Sequence, residues 1–243
     1  MNKINLNYKH QNFDFYIHDP SLDRMISRKI LKHGGWEGDI TDIWIDHIRP
    51  GDIVIDIGAN IGWYSKIAEL KQAEVFSFEP DPRNFEILKQ NCPTAHLFEV
   101  ALGASEDTVS INYNPDNFGD TRVSTAGSVV VNQTTLDAII GNRANEIRAI
   151  KLDVQGWEPY VLEGAVNTMK NLSKDCLVIS EFCPVLLAEN NFDMHQLDEF
   201  FQMFSKSYAL RKGKIISIDD MIEWAELVKN GPSQLYADTI NFV

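Results

Sequence analysis

The chain has 243 residues, 44% of them hydrophobic, enough to bury the core of one large domain or of one domain with insertions. Lys and Arg total 22 against 35 Asp and Glu, and the formal net charge of −13 opposes polyphosphates, which excludes nucleic acid and anionic membrane surfaces as expected partners. Cys92, Cys176 and Cys183 form no CxxC pair, and an odd number cannot make a complete internal disulfide set, so a reducing cytoplasm is the expected location.

The opening stretch MNKINLNYKHQNFDFYIHDP lacks the unbroken apolar core of a signal peptide, and no run of about 18 uncharged apolar residues follows it. Residues 1–50 read as an N-terminal helical cap, with Trp36, Ile40, Ile43 and Trp44 at helical spacing, packed as a single compact unit with a domain over 51–243. No internal repeat or low-complexity tract interrupts the chain.

Apolar runs of strand length then recur at 53–58, 74–80, 96–102, 147–154 and 177–182. Helical spacing separates most of them: Trp63, Ile67 and Leu70, then Phe85 and Leu88, and later Tyr160, Val161 and Ala165. This βαβ rhythm predicts an α/β fold with a mostly parallel sheet, helices on both faces, and ligands bound outside the carboxyl ends of the strands. Two regions break the rhythm. TVSINYN and SVVVNQTTL read as extra strands around the polar PDNFGDTRVSTAG, a hairpin insertion or lid after the third strand. At the C-terminus a helix is expected over about 193–207, then YALRKGKIISI, a helix over 218–229 and a last strand in LYADTINFV.

The segment DIGANIGWYS follows the first strand of the rhythm. Gly58 and Gly62 permit a sharp turn and close backbone approach, and a helix starting near Ile61 aims unpaired N–H groups at whatever occupies the turn. GxGxxG and the Gly-Lys-Ser/Thr of a P-loop are both missing, which weakens dinucleotide and nucleoside triphosphate readings. Asp56 ends one strand and Glu79 the next, where a carboxylate accepts from both ribose hydroxyls of an adenosine. An acidic first loop suits a ligand carrying an ammonium and a sulfonium, as S-adenosylmethionine does.

In order, DIVIDIGANIGWYS, FSFEPDPRNFEILKQN, EVALG, TTLD, IKLDVQGWEPYVLEGA and ISEFCP resemble the FkbM-type family of S-adenosylmethionine-dependent methyltransferases, over roughly residues 34–187. The resemblance implies a class I methyltransferase, Rossmann-like fold with a seven-stranded sheet and an antiparallel closing hairpin. It also implies O-methylation of a hydroxyl on a sugar, polyketide or similar small molecule. The family pattern sets Asp56, Gly58, Asn60 and Gly62 around the methionine part of the cofactor, Glu79 on the ribose, Pro80 and Asp81 beside the adenosine, and Ala101 and Leu102 along the adenine. Trp36 and Glu37 match a segment often present in that family and are expected to close over the cofactor, the alternative being core packing of the N-terminal cap. Where many members carry Asp-Val-Glu-Gly, this chain has Asp153, Val154, Gln155 and Gly156.

Methyl transfer to a hydroxyl requires alignment and a positioned base. Asp153 and Glu181, at the ends of the fourth and fifth strands, are the expected acid–base pair, with His195 or Lys151 as weaker proton handlers. The same two carboxylates are a thin candidate site for a divalent metal, having no third ligand. A helix cap for Asp153 and a salt bridge for Glu181 are the plain structural alternatives. Asn117 and Arg122 in the insertion are candidate cofactor or acceptor contacts, the alternative being an ordinary hairpin tip. His10, His18, His33, His47 and His96 lack metal spacing and read as surface or loop residues. Exposed aromatics such as Trp224 leave oligomeric state open. An NAD-dependent oxidoreductase and a non-catalytic cofactor-binding interaction module stand as competing functions.

Overall fold

A computed structural model describes residues 1–124, 126–192, 196–211, 214–231 and 236–243. The chain divides into two compact units, one formed by 1–101 with 108–132 and the other by 102–107 with 133–243.

The first unit opens with an antiparallel hairpin of β1 (Asn2–Tyr8) and β2 (Gln11–Ile17), which corrects the expectation of an all-helical cap. The cause is a period of two: Leu6 on one strand and Phe13, Phe15 and Ile17 on the other are buried while their neighbours face out. Lys9 and His10 both take positive φ, the geometry of a tight two-residue hairpin turn. Tyr8, Phe13 and Phe15 pack their rings against Trp63. The expected helices follow as α1 (Ile26–His33) and α2 (Gly38–His47).

The βαβ core of this unit is β3 (Ile53–Ile57), α3 (Trp63–Leu70), β4 (Glu74–Phe78), α4 (Pro82–Asn91) and β5 (His96–Phe98). The three strands are parallel neighbours in the order β3-β4-β5, and every residue of β3 is buried, as a strand covered on both faces requires. The expected strand 96–102 is split. His96–Phe98 pairs with β4, whereas β6 (Ala101–Leu102) leaves that sheet, and the chain passes into the second unit at its second residue. The insertion forms strands, as its alternation predicts: β7 (Asp107–Asn112), β8 (Arg122–Val123) and β9 (Val129–Thr134). Ala101, Ile111 and Val131 make its small core.

The second unit carries α5 (Leu136–Ile140), a 3-10 turn over Gly141–Glu146, β10 (Ile147–Leu152), α6 (Glu158–Glu163), α7 (Val166–Lys170), β11 (Leu177–Phe182), α8 (Pro184–Glu189), α9 (Gln196–Phe201), β12 (Lys206–Arg211), β13 (Lys214–Ile216), α10 (Ile218–Val228) and β14 (Ala237–Phe242). β10 and β11 are parallel. β14 lies antiparallel beside β11 in full register, and β12 pairs with its other edge. YALRKGKIISI turns back on itself as β12 and β13, one strand more than a closing hairpin of β12 and β14 supplies. The helix expected over 193–207 is shorter, because β12 has begun by Lys206. Among the described residues no helix is long and apolar enough to cross a membrane.

Candidate functional site

In the first unit the residues after β3 bend sharply through alternating left-handed backbone: Gly58 (φ 79°), Asn60 (φ 53°) and Gly62 (φ 87°). The main-chain N–H groups of Gly58 and Ala59 both donate to the carbonyl of Phe78 at 3.0 Å, pinning the turn to the end of β4. Gly62 has no room for a side chain. A Cβ there would lie 2.6 Å from Leu88 Cδ1 and 3.0 Å from Cys92 Sγ, so its glycine is demanded by the packing of α4 as well as by its φ.

Glu79 is buried directly against this turn. Its Oε2 accepts the main-chain N–H of Asn60 at 2.7 Å and its Oε1 that of Asp81 at 2.8 Å. Burial pushes the carboxyl up to about 8, against the lowering effect of those two amides. The Asn84 side chain is a third donor to the group, and in its ionised form the carboxylate, with about four lone-pair sites, still has acceptor capacity to offer a ribose hydroxyl. The residues here therefore fit an adenosyl ligand: a buried strand-end carboxylate with acceptor capacity for a ribose hydroxyl, beside a glycine-bearing turn.

The other candidates around the turn have partners within the protein. Asp56 is buried and accepts from the Ser65 hydroxyl at 2.5 Å, and Ser65 meets Ser77 at 2.7 Å, a polar chain tying β3, α3 and β4 together. Glu37, at φ 43°, accepts from the Tyr64 hydroxyl at 2.6 Å. Pro80 is half-buried beside Glu79. Asp81 caps α4 through the Arg83 N–H at 2.9 Å, receives the Arg83 guanidinium (Nη2 to Oδ2, 2.6 Å) and accepts from the Thr121 hydroxyl at 3.0 Å. Ala101 packs on Ile111 and Val131, and Leu102 is buried in the second unit.

The insertion is fastened to the turn by Asn60 together with residues the sequence reading did not single out, Arg83, Asn84, Tyr113 and Phe118. The carbonyl of Phe118 accepts from Asn60 Nδ2 at 3.2 Å and from Asn84 Nδ2 at 3.0 Å. The Arg83 guanidinium lies 3.5 Å from the Tyr113 ring centre and 4.5 Å from that of Phe118. His18, expected as a surface or loop residue, lies in the loop after β2, where it packs its ring on Phe118 and meets Asn84 Oδ1 at 2.8 Å, and burial lowers its pKa. Asn117 and Arg122 build the loop itself: Asn117 Oδ1 accepts the Gly119 N–H at 3.1 Å, and the Arg122 guanidinium clasps Asp120. The available signal was the block EPDPRN, in which Arg83 and Asn84 follow Pro82, just after the acids Glu79 and Asp81.

In the second unit, Asp153 follows β10 and Glu181 lies near the end of β11. Gln155 Nε2 donates to Asp153 Oδ1 at 2.8 Å and to Glu181 Oε2 at 2.9 Å, so the two carboxylates do converge. The buried Lys151 ammonium lies 3.3 Å from Asp153 Oδ2. Asp153 does not cap α6, whose N-terminus has no side-chain cap. Glu158 is buried, accepts the Val154 N–H at 3.0 Å, and is pushed up to about 7 by desolvation. Asp238 stands opposite Glu181 in the β11–β14 register. Among the described residues no group of three or more His, Cys, Asp or Glu is placed to hold a metal ion. His195 lies outside the described residues.

Comparison with known proteins adds an independent line. The sequence profile of the family described as the methyltransferase FkbM domain matches residues 56–210. The chain is 29% identical over 143 residues to the hexuronic acid methyltransferase AglP of Haloferax volcanii, which is 56% of this chain and 59% of that protein. It is 46% identical over 46 residues to the 31-O-demethyl-FK506 methyltransferase FkbM of Streptomyces tacrolimicus, 18% of each. The matches thus span about three fifths and less than one fifth of these relatives. In fold it is similar to the crystal structure of an rRNA methylase from Streptococcus thermophilus, with a TM-score of 0.50 and 11% identity over 84% of this chain and 95% of that one.

Proposed function

Since the chain belongs to the FkbM methyltransferase family, we propose that it is an S-adenosylmethionine-dependent O-methyltransferase acting on a hydroxyl of a small molecule, a sugar before a polyketide. The single observation that carries the oxygen acceptor is the convergence of Asp153 and Glu181 on one amide. A hydroxyl needs a group to take its proton as it is alkylated, and a positioned carboxylate contributes about 10²- to 10⁴-fold. The hexuronic acid methyltransferase relative supports a sugar as the acceptor.

S-adenosylmethionine, when bound, supplies an electrophilic methyl group on a sulfonium. Asn60, Gly58 and Glu79 of the first unit would hold it, Glu79 by accepting from the ribose hydroxyls. Asp153 and Glu181 of the second unit orient the acceptor hydroxyl, and one of them takes its proton. Lys151 fixes Asp153 in place and supplies a compensating positive charge. An NAD-dependent oxidoreductase is disfavoured by the missing dinucleotide fingerprint and has no counterpart in the family match.

The test is incubation with methyl-labelled S-adenosylmethionine and a panel of hexoses, hexuronic acid glycosides and polyketide alcohols, followed by mass spectrometry of products. A labelled methyl ether on a sugar is expected. Tight S-adenosylhomocysteine binding without product from any acceptor would favour the non-catalytic reading, and labelled product only on nitrogen or carbon would overturn O-methylation.

A further inference from the structure

We propose that Gln155 is a positioning residue for this reaction: its carboxamide, donating one N–H to Asp153 and the other to Glu181, holds the two carboxylates together as an aligned pair. The inference rests on the reading of Asp153 and Glu181 as the acceptor-side acids.

The geometry is specific to an amide. Both bonds leave the same nitrogen, at 2.8 and 2.9 Å, and end on carboxylates from two different strand ends. The reverse orientation of the amide would press its oxygen against two anionic oxygens, so the partners fix its assignment. A glutamate in its ionised form offers no donor at all.

The backbone is committed to this aim. Gln155 has φ 54°, a left-handed conformation that costs a non-glycine residue on the order of 1 kcal/mol. The next residue, Gly156, has φ 94°, and a Cβ on it would come within 2.5 Å of Leu186 Cβ. Its carbonyl accepts from Asn190 Nδ2 at 3.0 Å. The turn between β10 and α6 is therefore locked by the segment after β11, the strand that carries Glu181, and the side chain of Gln155 is delivered to a fixed point.

The charged groups around the pair explain why a neutral donor matters. Lys151 comes from β10, Glu158 from the start of α6, and Asp238 from β14 opposite Glu181. Acids outnumber the ammonium in this set. Adjacent carboxylates without donors between them retain a proton that separate ones release, and a base that already holds a proton cannot accept the acceptor's. Two N–H donors stabilise both charges without adding a titratable group.

The test compares the parent with Q155M, which removes both donors, and Q155E, which keeps the shape. Q155M is expected to lower kcat about 10- to 100-fold, with S-adenosylhomocysteine affinity by calorimetry within about twofold of the parent, and to move the acidic limb of the kcat/KM profile up by about one pH unit. Q155E is expected to show a narrowed, bell-shaped pH profile, active only where its added carboxyl still carries a proton and donates one bond while the acceptor's base is ionised, and to lose activity as that proton leaves. Carbon-13 shifts of the Asp153 and Glu181 carboxyls followed across pH read the same coupling without turnover, and their pH response should differ between the parent and Q155M. Unchanged carboxyl titration in both variants, or kcat within about threefold of the parent with an unmoved pH profile, overturns the proposal. A parent that methylates no acceptor while its carboxyls respond to Q155M as expected would instead sink the functional reading alone.

Discussion

The main-chain N–H of Asn60 donates to Glu79 Oε2 at 2.7 Å, so the turn after β3 and the acid after β4 are one construction. The same asparagine closes its own turn, with Oδ1 accepting from the Ile61 N–H at 2.8 Å, and reaches the Phe118 carbonyl with Nδ2. Asn60→Leu keeps the main-chain bond but loses both side-chain bonds at a left-handed position, a stability cost of about 2–3 kcal/mol. Asn60→Gly relieves the backbone and loses only the side-chain bonds. S-adenosylhomocysteine binding by calorimetry is expected to weaken more than tenfold in the leucine variant and less in the glycine variant.

Glu79 gives a pH signature with a definite sign. Its folded carboxyl lies at about 8, above the ordinary value near 4.5, so between those pH values the folded state binds the proton that the unfolded chain has released. Stability therefore falls as pH rises from about 4.5 to 8 and is flat above that range. Glu158 adds a similar fall that ends near 7. Denaturant melts from pH 5 to 9 should show the decline in the parent, and Glu79→Gln should remove the portion that extends beyond pH 7. Since ribose hydroxyls favour the ionised form, S-adenosylhomocysteine affinity should rise from pH 6.5 to 8.5 in the parent and not in that variant.

Asp153→Asn tests the acceptor side. It leaves Glu79 and the turn after β3 untouched and removes one candidate base and the charge opposite Lys151. Turnover should fall about 10²- to 10⁴-fold while S-adenosylhomocysteine affinity stays within about twofold. Full activity would remove Asp153 from the chemistry.

Gly62→Ala should be destabilising by about 2–4 kcal/mol, because the new methyl meets Leu88 and Cys92 and the backbone is left-handed. Urea melts measure this directly. Adding Leu88→Ala should recover part of the loss, since the clash is with the Leu88 Cδ1 atom, and an unchanged penalty would assign the cost to the backbone alone.

Asp81→Asn separates anchoring from ligand contact. It keeps a capping oxygen for α4 but removes the charge and one acceptor of the Arg83 fork, costing about 1–2 kcal/mol, and loosens the bond from Thr121. Hydrogen exchange over residues 113–124 should speed up while the amides of β3 and β4 stay protected.

The strands β3, β4, β10 and β11 were legible because each is a short apolar run bounded by turn residues, and the turn after β3 was legible because positive φ leaves glycines in the sequence. The β1–β2 hairpin was missed: Phe13, Phe15 and Ile17 alternate as a strand should, but Lys9 and His10 give no sign of the turn they make. The convergence of Asp153 and Glu181 was readable from strand ends. The bridge between them was not, since the sequence shows a hydrogen-bonding amide at Gln155 but not the two carboxylates that its nitrogen reaches. The fastening of the insertion was hidden for a different reason. It ends on the carbonyl of Phe118, and a main-chain acceptor has no letter of its own.

That last property has a consequence for divergence and engineering. The side chain at 118 takes no part in the two amide bonds, so these bonds tolerate replacement of the residue itself, although packing on Arg83 and His18 would suffer. They do not tolerate a change in spacing. Removing or adding one residue between Tyr113 and Arg122 would present a different carbonyl to Asn60 and Asn84, and with it a differently placed flap. Substitutions here should be absorbed, whereas single-residue insertions and deletions should be purged.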